Sequence, residues 1–206
     1  MAQRFRPFIV GIGGTTQAGS SPEKALVHAL ALAAAQGAET ELFDGASIHL
    51  PMYTPMTYSP DSIHRSQDAR KLIESLRRAH GVILSTPCYH GSVSGLLKNA
   101  LDYVEDMAQD PHPYFDGRAV GLIVCGYGWQ STGITLSALR SIVHALRGWP
   151  TPMGVAINTA PGAGAAKTFD DNGMVVEEAS ARQIATMVAQ VMEFAHMRAV
   201  QVSQQA

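Results

Sequence analysis

Two hydrophobic periods alternate along the chain. Phe8 to Gly13 is an almost unbroken apolar run of strand length, and Val82 to Ser85, Ala119 to Val124 and Gly154 to Ile157 are of the same kind. Such runs fit strands buried on both faces. Between them apolar residues recur at spacings of three and four, as in Val93, Leu96, Leu97, Ala100, Leu101, Val104 and Met107, which puts them on one helical face. Glu39 to Phe43 adds a short strand after a helix that Gly37 stops. The predicted order is β1 (8–13), α1 (21–36), β2 (39–43), α2 (61–79), β3 (82–86), α3 (92–108), β4 (118–125), α4 (132–147), β5 (153–157) and α5 (176–198).

Five strands and five helices in strict alternation require right-handed crossovers, hence a parallel sheet with helices on both faces. The expectation is an α/β doubly wound domain spanning residues 1–206, with no linker and no solenoid repeat. Ligands of such folds sit beyond the carboxyl ends of the strands at the switch point. The loops there are unusual: residues 13–21 are rich in Gly, Ser and Thr, residues 86–92 read Thr-Pro-Cys-Tyr-His-Gly-Ser, and residues 126–133 hold three glycines with Tyr127 and Trp129. Pro51 to Pro60 reads as a stiff loop or lid over the sheet end, and Thr159 to Gly173 as a mobile loop or an outward hairpin.

Composition narrows the chemistry. With 15 Lys and Arg against 17 Asp and Glu in 206 residues, the net charge of −2 offers no basic face for nucleic acid. No apolar run reaches the roughly 18 residues of a membrane span, and the first residues lack a signal-peptide core, so a cytoplasmic protein is expected. Cys88 and Cys125 make neither a disulfide framework nor a zinc spacing, and the eight histidines form no HExxH pair, so no metal site is expected.

The β1 loop places glycine-freed N–H groups and the hydroxyls of Thr15, Thr16, Ser20 and Ser21 at a helix start, which is an anion cradle. The helix end supplies about 0.3–2 kcal/mol toward a phosphate, and each hydrogen bond to the charged group about 1.5–3 kcal/mol. A Walker loop is missing, because the first lysine downstream is Lys24, without a Ser or Thr beside it. A dinucleotide fingerprint fits Gly11, Gly13 and Asp44 but fails at Thr16, and a hydroxyl-rich loop suits a terminal monophosphate better. A turn that merely caps α1 is the open alternative.

The β3 loop precedes a second helix start, whose N–H groups suit a carbonyl or an anionic ring nitrogen of a flat heterocycle; Tyr89 and His90 serve either that role or simple packing. In the β4 loop Gly126 and Gly128 allow close approach to a ring that Tyr127 and Trp129 wall, with a subunit contact as the alternative for Trp129. Gly91 to Gly95 is not a hydrolase elbow, since Val93 stands at the nucleophile position. A phospho-acceptor domain fails because Gly13 and Thr86 stand where acidic residues are needed.

Thr86 to Asp102 resembles the NADPH-dependent FMN reductase family of flavodoxin-like proteins, matching its P-x-Y-x-x-S-x-x-G-x-L-K-N-x-x-D signature at every named position. Leu50 to Tyr53 is similar to the family's L-P-x-Y loop, and Gly14 to Ser20 to its G-S-x-R-x-x-S phosphate loop, with Thr15 in place of Ser and Gln17 in place of Arg. The resemblance runs from β1 to about Asn158 and implies the flavodoxin-like strand order 2-1-3-4-5. It implies that Thr15, Gln17, Ser20 and Ser21 hold the FMN phosphate, that Pro87, Cys88, Tyr89, His90, Gly91 and Ser92 line the isoalloxazine, and that Gly126, Tyr127, Gly128 and Trp129 cover its pyrimidine end. It also implies a homodimer or homotetramer in which α3 and the segment Asp110 to Asp116 meet a partner subunit.

The activity expected from the resemblance is hydride transfer from NADPH or NADH to FMN, without a protein nucleophile. Reduced flavin then leaves for a partner monooxygenase, or stays and reduces a quinone, azo or nitro compound; loss of the arginine at Gln17 tilts toward exchange. N–H groups near Gly91 and Ser92 are expected to stabilise the reduced ring. A flavodoxin-type electron carrier, which needs a strongly charged docking face, and a domain with an empty flavin site are the competing readings.

Overall fold

In the computed structural model, which describes residues 5–55, 66–161 and 168–205, the apolar runs pair as one parallel sheet in the order β2-β1-β3-β4-β5. The strands are β1 Phe8–Gly13, β2 Glu39–Phe43, β3 Gly81–Pro87, β4 Ala119–Gly126 and β5 Trp149–Asn158. The helices are α1 Ser21–Ala35, α2 Gln67–Arg78, α3 Gly95–Asp102, α4 Trp129–Ala145 and α5 Glu178–Gln205. This is the flavodoxin-like order expected.

Successive side chains of a strand point to opposite faces, so a strand buried on both sides feeds two cores. Along β3, Val82 and Leu84 join Leu72, Leu76, Leu97 and Leu139 beneath α2, α3 and α4, while Ile83 turns the other way to Leu26, Leu30, Ile184 and Val188 of α1 and α5. With both faces covered, the strand ends are where backbone polar groups are left for other partners.

Several boundaries differ from expectation for local reasons. The first half of β5 carries Pro150 and Pro152, which read as breakers; at the sheet edge they are tolerated, and a register shift lets Val120 face Pro150 while Leu122 faces Gly154. The carbonyls displaced there accept from Arg140, at 2.8 Å for Thr151 and 2.9 Å for Pro152. Helix α3 starts at Gly95, three residues late, because Ser94 is its cap and accepts the Leu97 N–H at 3.1 Å; after Asp102 the chain tightens into a 3-10 turn over Tyr103–Met107. Helix α4 starts three residues early, at Trp129, and α5 runs seven residues beyond its expected end. The expected start of α2 at 61–65 and the second half of the 51–60 loop lie outside the described residues. Of the 159–173 stretch, residues 162–167 lie outside as well, and the remainder closes as a hairpin in which Phe169 bridges Val175 and Asp170 N–H donates to the Met174 carbonyl at 2.9 Å.

Two signature residues explain themselves here. Buried Asn99 accepts the Tyr53 N–H at 2.8 Å and donates to the carbonyls of Leu50 and Pro51 at 3.2 and 3.0 Å, pinning the start of the 50–55 loop to α3. Lys98 pairs with Asp102 one turn on at 2.5 Å.

Two histidines, His28 buried and His80 at the surface, link stability to pH. His28, packed in α1, is held below the ordinary histidine value of 6.5 by burial, partly offset by Asp170. His80 is also held down, by burial and then by the Arg118 cation, while its Nδ1 accepts the Phe8 N–H at 3.0 Å. A depressed folded value means the unfolded chain binds more protons, so stability is full above the unfolded value of about 6.5 and falls as pH drops through the folded values. Urea unfolding at a series of pH values will show a loss setting in below about pH 6.5, and His28→Leu will shallow that slope. An unchanged slope in the variant contradicts the assignment.

Candidate functional site

The loops at the carboxyl ends of β1, β3 and β4 enclose a cleft of about 660 Å³, within the range of small-ligand sites. Its first wall is residues 14–22. Gly14 N–H donates to the Ser85 carbonyl at 2.7 Å, and Ser85 Oγ donates to the Pro22 carbonyl at 2.7 Å, so β3 anchors both ends of the loop. Gly45, after β2, presses on its back: a Cβ there would stand 1.8 Å from the Thr15 carbonyl oxygen, which only glycine avoids. Thr15, Gln17, Ser20 and Ser21 all line the cleft.

The hydroxyl pattern bears on the capping alternative. Ser20 is the N-cap of α1, yet its side chain makes no cap hydrogen bond; its Oγ is shut off from solvent and lacks a partner among the described residues. A serine present only to cap would accept an N–H of the first turn. A buried, unpaired hydroxyl costs stability unless something satisfies it, and a phosphate oxygen fits that need. Asp44, the candidate ribose partner of the dinucleotide reading, instead accepts the backbone N–H and hydroxyl of Ser47 at 2.9 and 2.7 Å; these bonds, the N–H first, hold its carboxyl below the usual range.

The second wall is a tight hairpin. Tyr89 and Ser92 exchange N–H to carbonyl bonds of 3.0 Å each, with His90 at φ 51° and Gly91 at φ 79°, the two positive angles of a type I′ turn. Pro87, Cys88, Tyr89, His90 and Gly91 line the cleft, whereas Ser92, whose N–H is spent on Tyr89, does not. Among the described residues the N–H groups of His90 and Gly91 are engaged by nothing. At the start of α3 the Leu97 N–H goes to Ser94 Oγ and the Ser94 N–H to Thr86 Oγ1.

The third wall is shorter than expected. Gly126 lets the strands close up, since a Cβ there would lie 2.9 Å from Cys88 Cβ and Sγ, and with Tyr127 it lines the cleft. Gly128 and Trp129 do not line it: the Gly128 N–H is taken by Asn158 Oδ1 at 2.9 Å, and Trp129, the first residue of α4, is turned to solvent. Gly19, Pro22, Cys125, Ser131 and Thr159 line the cleft unforeseen. Thr159 follows directly on β5, so the rule that ligands sit at strand carboxyl ends would have found it had it been applied to β5 also. Among the described residues no lysine or arginine lines the cleft, leaving His90 as its one cationic candidate.

A second cavity, of about 620 Å³, lies at the opposite end of the sheet, beside His80, Arg118 and Ala195. Buried Arg118 already directs four N–H groups to the carbonyls of Ala79, Tyr114, Asp116 and Arg77, so its guanidinium acts as a clamp on these turns.

The two thiols differ sharply. Both stand at the cleft, but Cys125 is buried in the sheet, and desolvation pushes its thiol well above the ordinary value, whereas Cys88 is half-buried. A thiol reagent applied to the folded protein will modify Cys88 and spare Cys125, and both will react in denaturant. Mass spectrometry of the labelled peptides reads this out, and labelling of Cys125 in the folded protein would refute the placement.

A sequence model of the family described as NADPH-dependent FMN reductase matches residues 7–162. Over 118 residues the chain is 38% identical to an FMN-dependent NADPH-azoreductase of Staphylococcus aureus, a match that covers 57% of this chain and 59% of that protein. The fold is similar to that of FerB, a flavoenzyme NAD(P)H:(acceptor) oxidoreductase of Paracoccus denitrificans, with a TM-score of 0.73 at 16% identity over 93% of this chain and 98% of that one. It is also similar to the apo form of the NADH:FMN oxidoreductase EMOB, with a TM-score of 0.64 at 20% identity over 93% and 89% of the two chains. At such identities the structural likenesses carry the fold alone.

Proposed function

This chain belongs to the NADPH-dependent FMN reductase family, and from that premise we propose that it is an NAD(P)H-dependent flavin oxidoreductase, a single flavodoxin-like domain whose cleft takes FMN. The observation that carries the reading is a cleft lined on one side by the Ser20 loop, whose serine hydroxyl lacks a partner among the described residues, and on the other by a hairpin with two unengaged N–H groups. One end of the cleft is suited to a phosphate and the other to a polar ring edge. A tight electron carrier is disfavoured by the net charge of −2.

Bound FMN would supply the redox chemistry, two-electron transfer from NADPH or NADH to an acceptor. The protein's share is positioning. Ser20, Ser21 and Thr15 would receive the phosphate, and Gln17 would contribute a neutral amide where the family has arginine. The N–H groups of His90 and Gly91 would hold negative charge at the ring edge, a preorganised electrostatic task that the rigid I′ turn performs without rearrangement. Pro87 and Gly126 would flank the ring, with the exposed Tyr89 and Tyr127 at the mouth where a nicotinamide or an acceptor enters.

Because no cation among the described residues lines the phosphate end, flavin is read as exchangeable, delivered in reduced form to acceptors such as a flavin-dependent monooxygenase. A second reading, retained flavin reducing azo or quinone compounds, is supported by the azoreductase relative. The segment 110–116, tied down by the Arg77–Asp110 ion pair and by Arg118, is proposed to meet a second subunit in a homodimer or homotetramer. Among the described residues no helix is long and apolar enough to cross a membrane, and a cytoplasmic setting is proposed.

Under anaerobic conditions the purified protein with FMN and NADPH will bleach the visible flavin absorbance rapidly; bleaching only with an added reductase would make it a carrier. Ser20→Ala will weaken FMN binding about 10- to 150-fold, the loss of one hydrogen bond to a charged group of about 1.5–3 kcal/mol, and leave riboflavin binding unchanged. Equal effects on both flavins would remove Ser20 from the phosphate end.

A further inference from the structure

Glu23 stands in the first turn of α1, where a helix start favours an acid, and its Oε2 accepts the Gly19 N–H at 2.6 Å. Ser20 and Glu23 have the spacing of a capping box, in which the serine hydroxyl takes an N–H of the first turn while the glutamate reaches back to the cap residue's own N–H. Here that exchange is broken on both sides. The serine arm is open, and the glutamate has gone one residue further back, onto a glycine that lines the cleft. A carboxylate therefore occupies one of the N–H groups of the loop that would receive a phosphate.

No lysine or arginine among the described residues lines the cleft, and Lys24, adjacent in sequence, lies over the Phe169 ring at 5.8 Å. Gln17 is neutral where the family carries a fixed positive charge. The loop thus presents donors together with one negative charge. A phosphate dianion entering it must displace Glu23 from Gly19 or share the site with it, and like charges so placed repel.

We infer that Glu23 sets the flavin specificity of the cleft: its carboxylate offsets what the loop's donors give a phosphate, so that flavins are selected by their ring and riboflavin binds about as well as FMN. The inference rests on the flavin reading above and deepens it. The flavin is then recognised mainly by the hairpin and the Gly126 turn, and the family's phosphate contact is muted by a residue of the same loop.

The test compares FMN and riboflavin by fluorescence-quenching titration of the full chain and of Glu23→Gln, which keeps an oxygen to accept from Gly19 but removes the charge. The expected result is two dissociation constants within about threefold of each other in the unmodified protein, and an approximately tenfold tightening for FMN alone in the variant, equivalent to about 1.4 kcal/mol. If Glu23 were only a helix cap, the variant would shift both flavins together or neither, and the inference would be overturned. A salt series on the unmodified protein gives an independent reading should the variant fold poorly. Raising the salt from about 0.05 M to about 0.5 M screens the repulsion and tightens FMN but not riboflavin; weaker FMN binding at high salt would mean a net attractive site and overturn it. Binding of neither flavin would instead defeat the flavin reading on which the inference stands.

Discussion

Burial of both faces of the sheet is the constraint on which everything else depends. Leu84 and Ile83 point into separate cores, as do Val124 and Ile123, so neither sheet face is open to a ligand. Parallel pairing also leaves every strand pointing the same way, and the turns that follow β1, β3 and β4 collect at one rim. The rim is where main-chain donors remain unspent, and the cleft is their common boundary. Its chemistry is accordingly dominated by the backbone and small hydroxyls, with Cys88 a half-buried thiol among the residues that line it.

The rim is held by interactions that lie behind it. Gly45 presses on Thr15, Asn99 pins the Leu50 to Tyr53 loop, and Gly126 makes room for Cys88. Gly45 and Asn99 do not line the cleft, yet their replacement would move its walls. The signature segment Thr86 to Asp102 divides its work accordingly: Pro87 and Tyr89 line the cleft, while Ser92 closes the hairpin, Lys98 and Asp102 pair on the helix surface, and Asn99 reaches to another loop. A sequence signature in this fold is thus partly a record of packing and only partly of binding.

Strands with continuous apolar runs were legible because nothing but double-sided burial explains them, and β1 falls where the pattern puts it; the edge strand β2 was legible instead from the Gly37 stop before it. The beginning of β5 was hidden because Pro150 and Pro152 break the pattern that an edge strand does not need to keep. The start of α3 was misplaced because helical periodicity continues back to Val93, while the backbone before Ser94 is committed to the hairpin. That turn was hard to read because His90-Gly91 is not the Asn-Gly pair that announces a I′ geometry. In the site, the glycines and hydroxyls of the first loop are where composition placed them. The spending of particular N–H groups, Ser92 on Tyr89, Gly128 on Asn158 and Gly19 on Glu23, is long-range or rotamer-dependent and leaves no mark on spacing.

The central claim is that one rim of the sheet grips a phosphorylated, planar redox ring. A crystal structure of the complex with FMN tests it most directly. The account predicts the ring against the His90-Gly91 turn and Gly126, with the phosphate beside Ser20. Density for the flavin in the cavity beside Arg118 and α5, with the cleft closed by its own side chains, would contradict it.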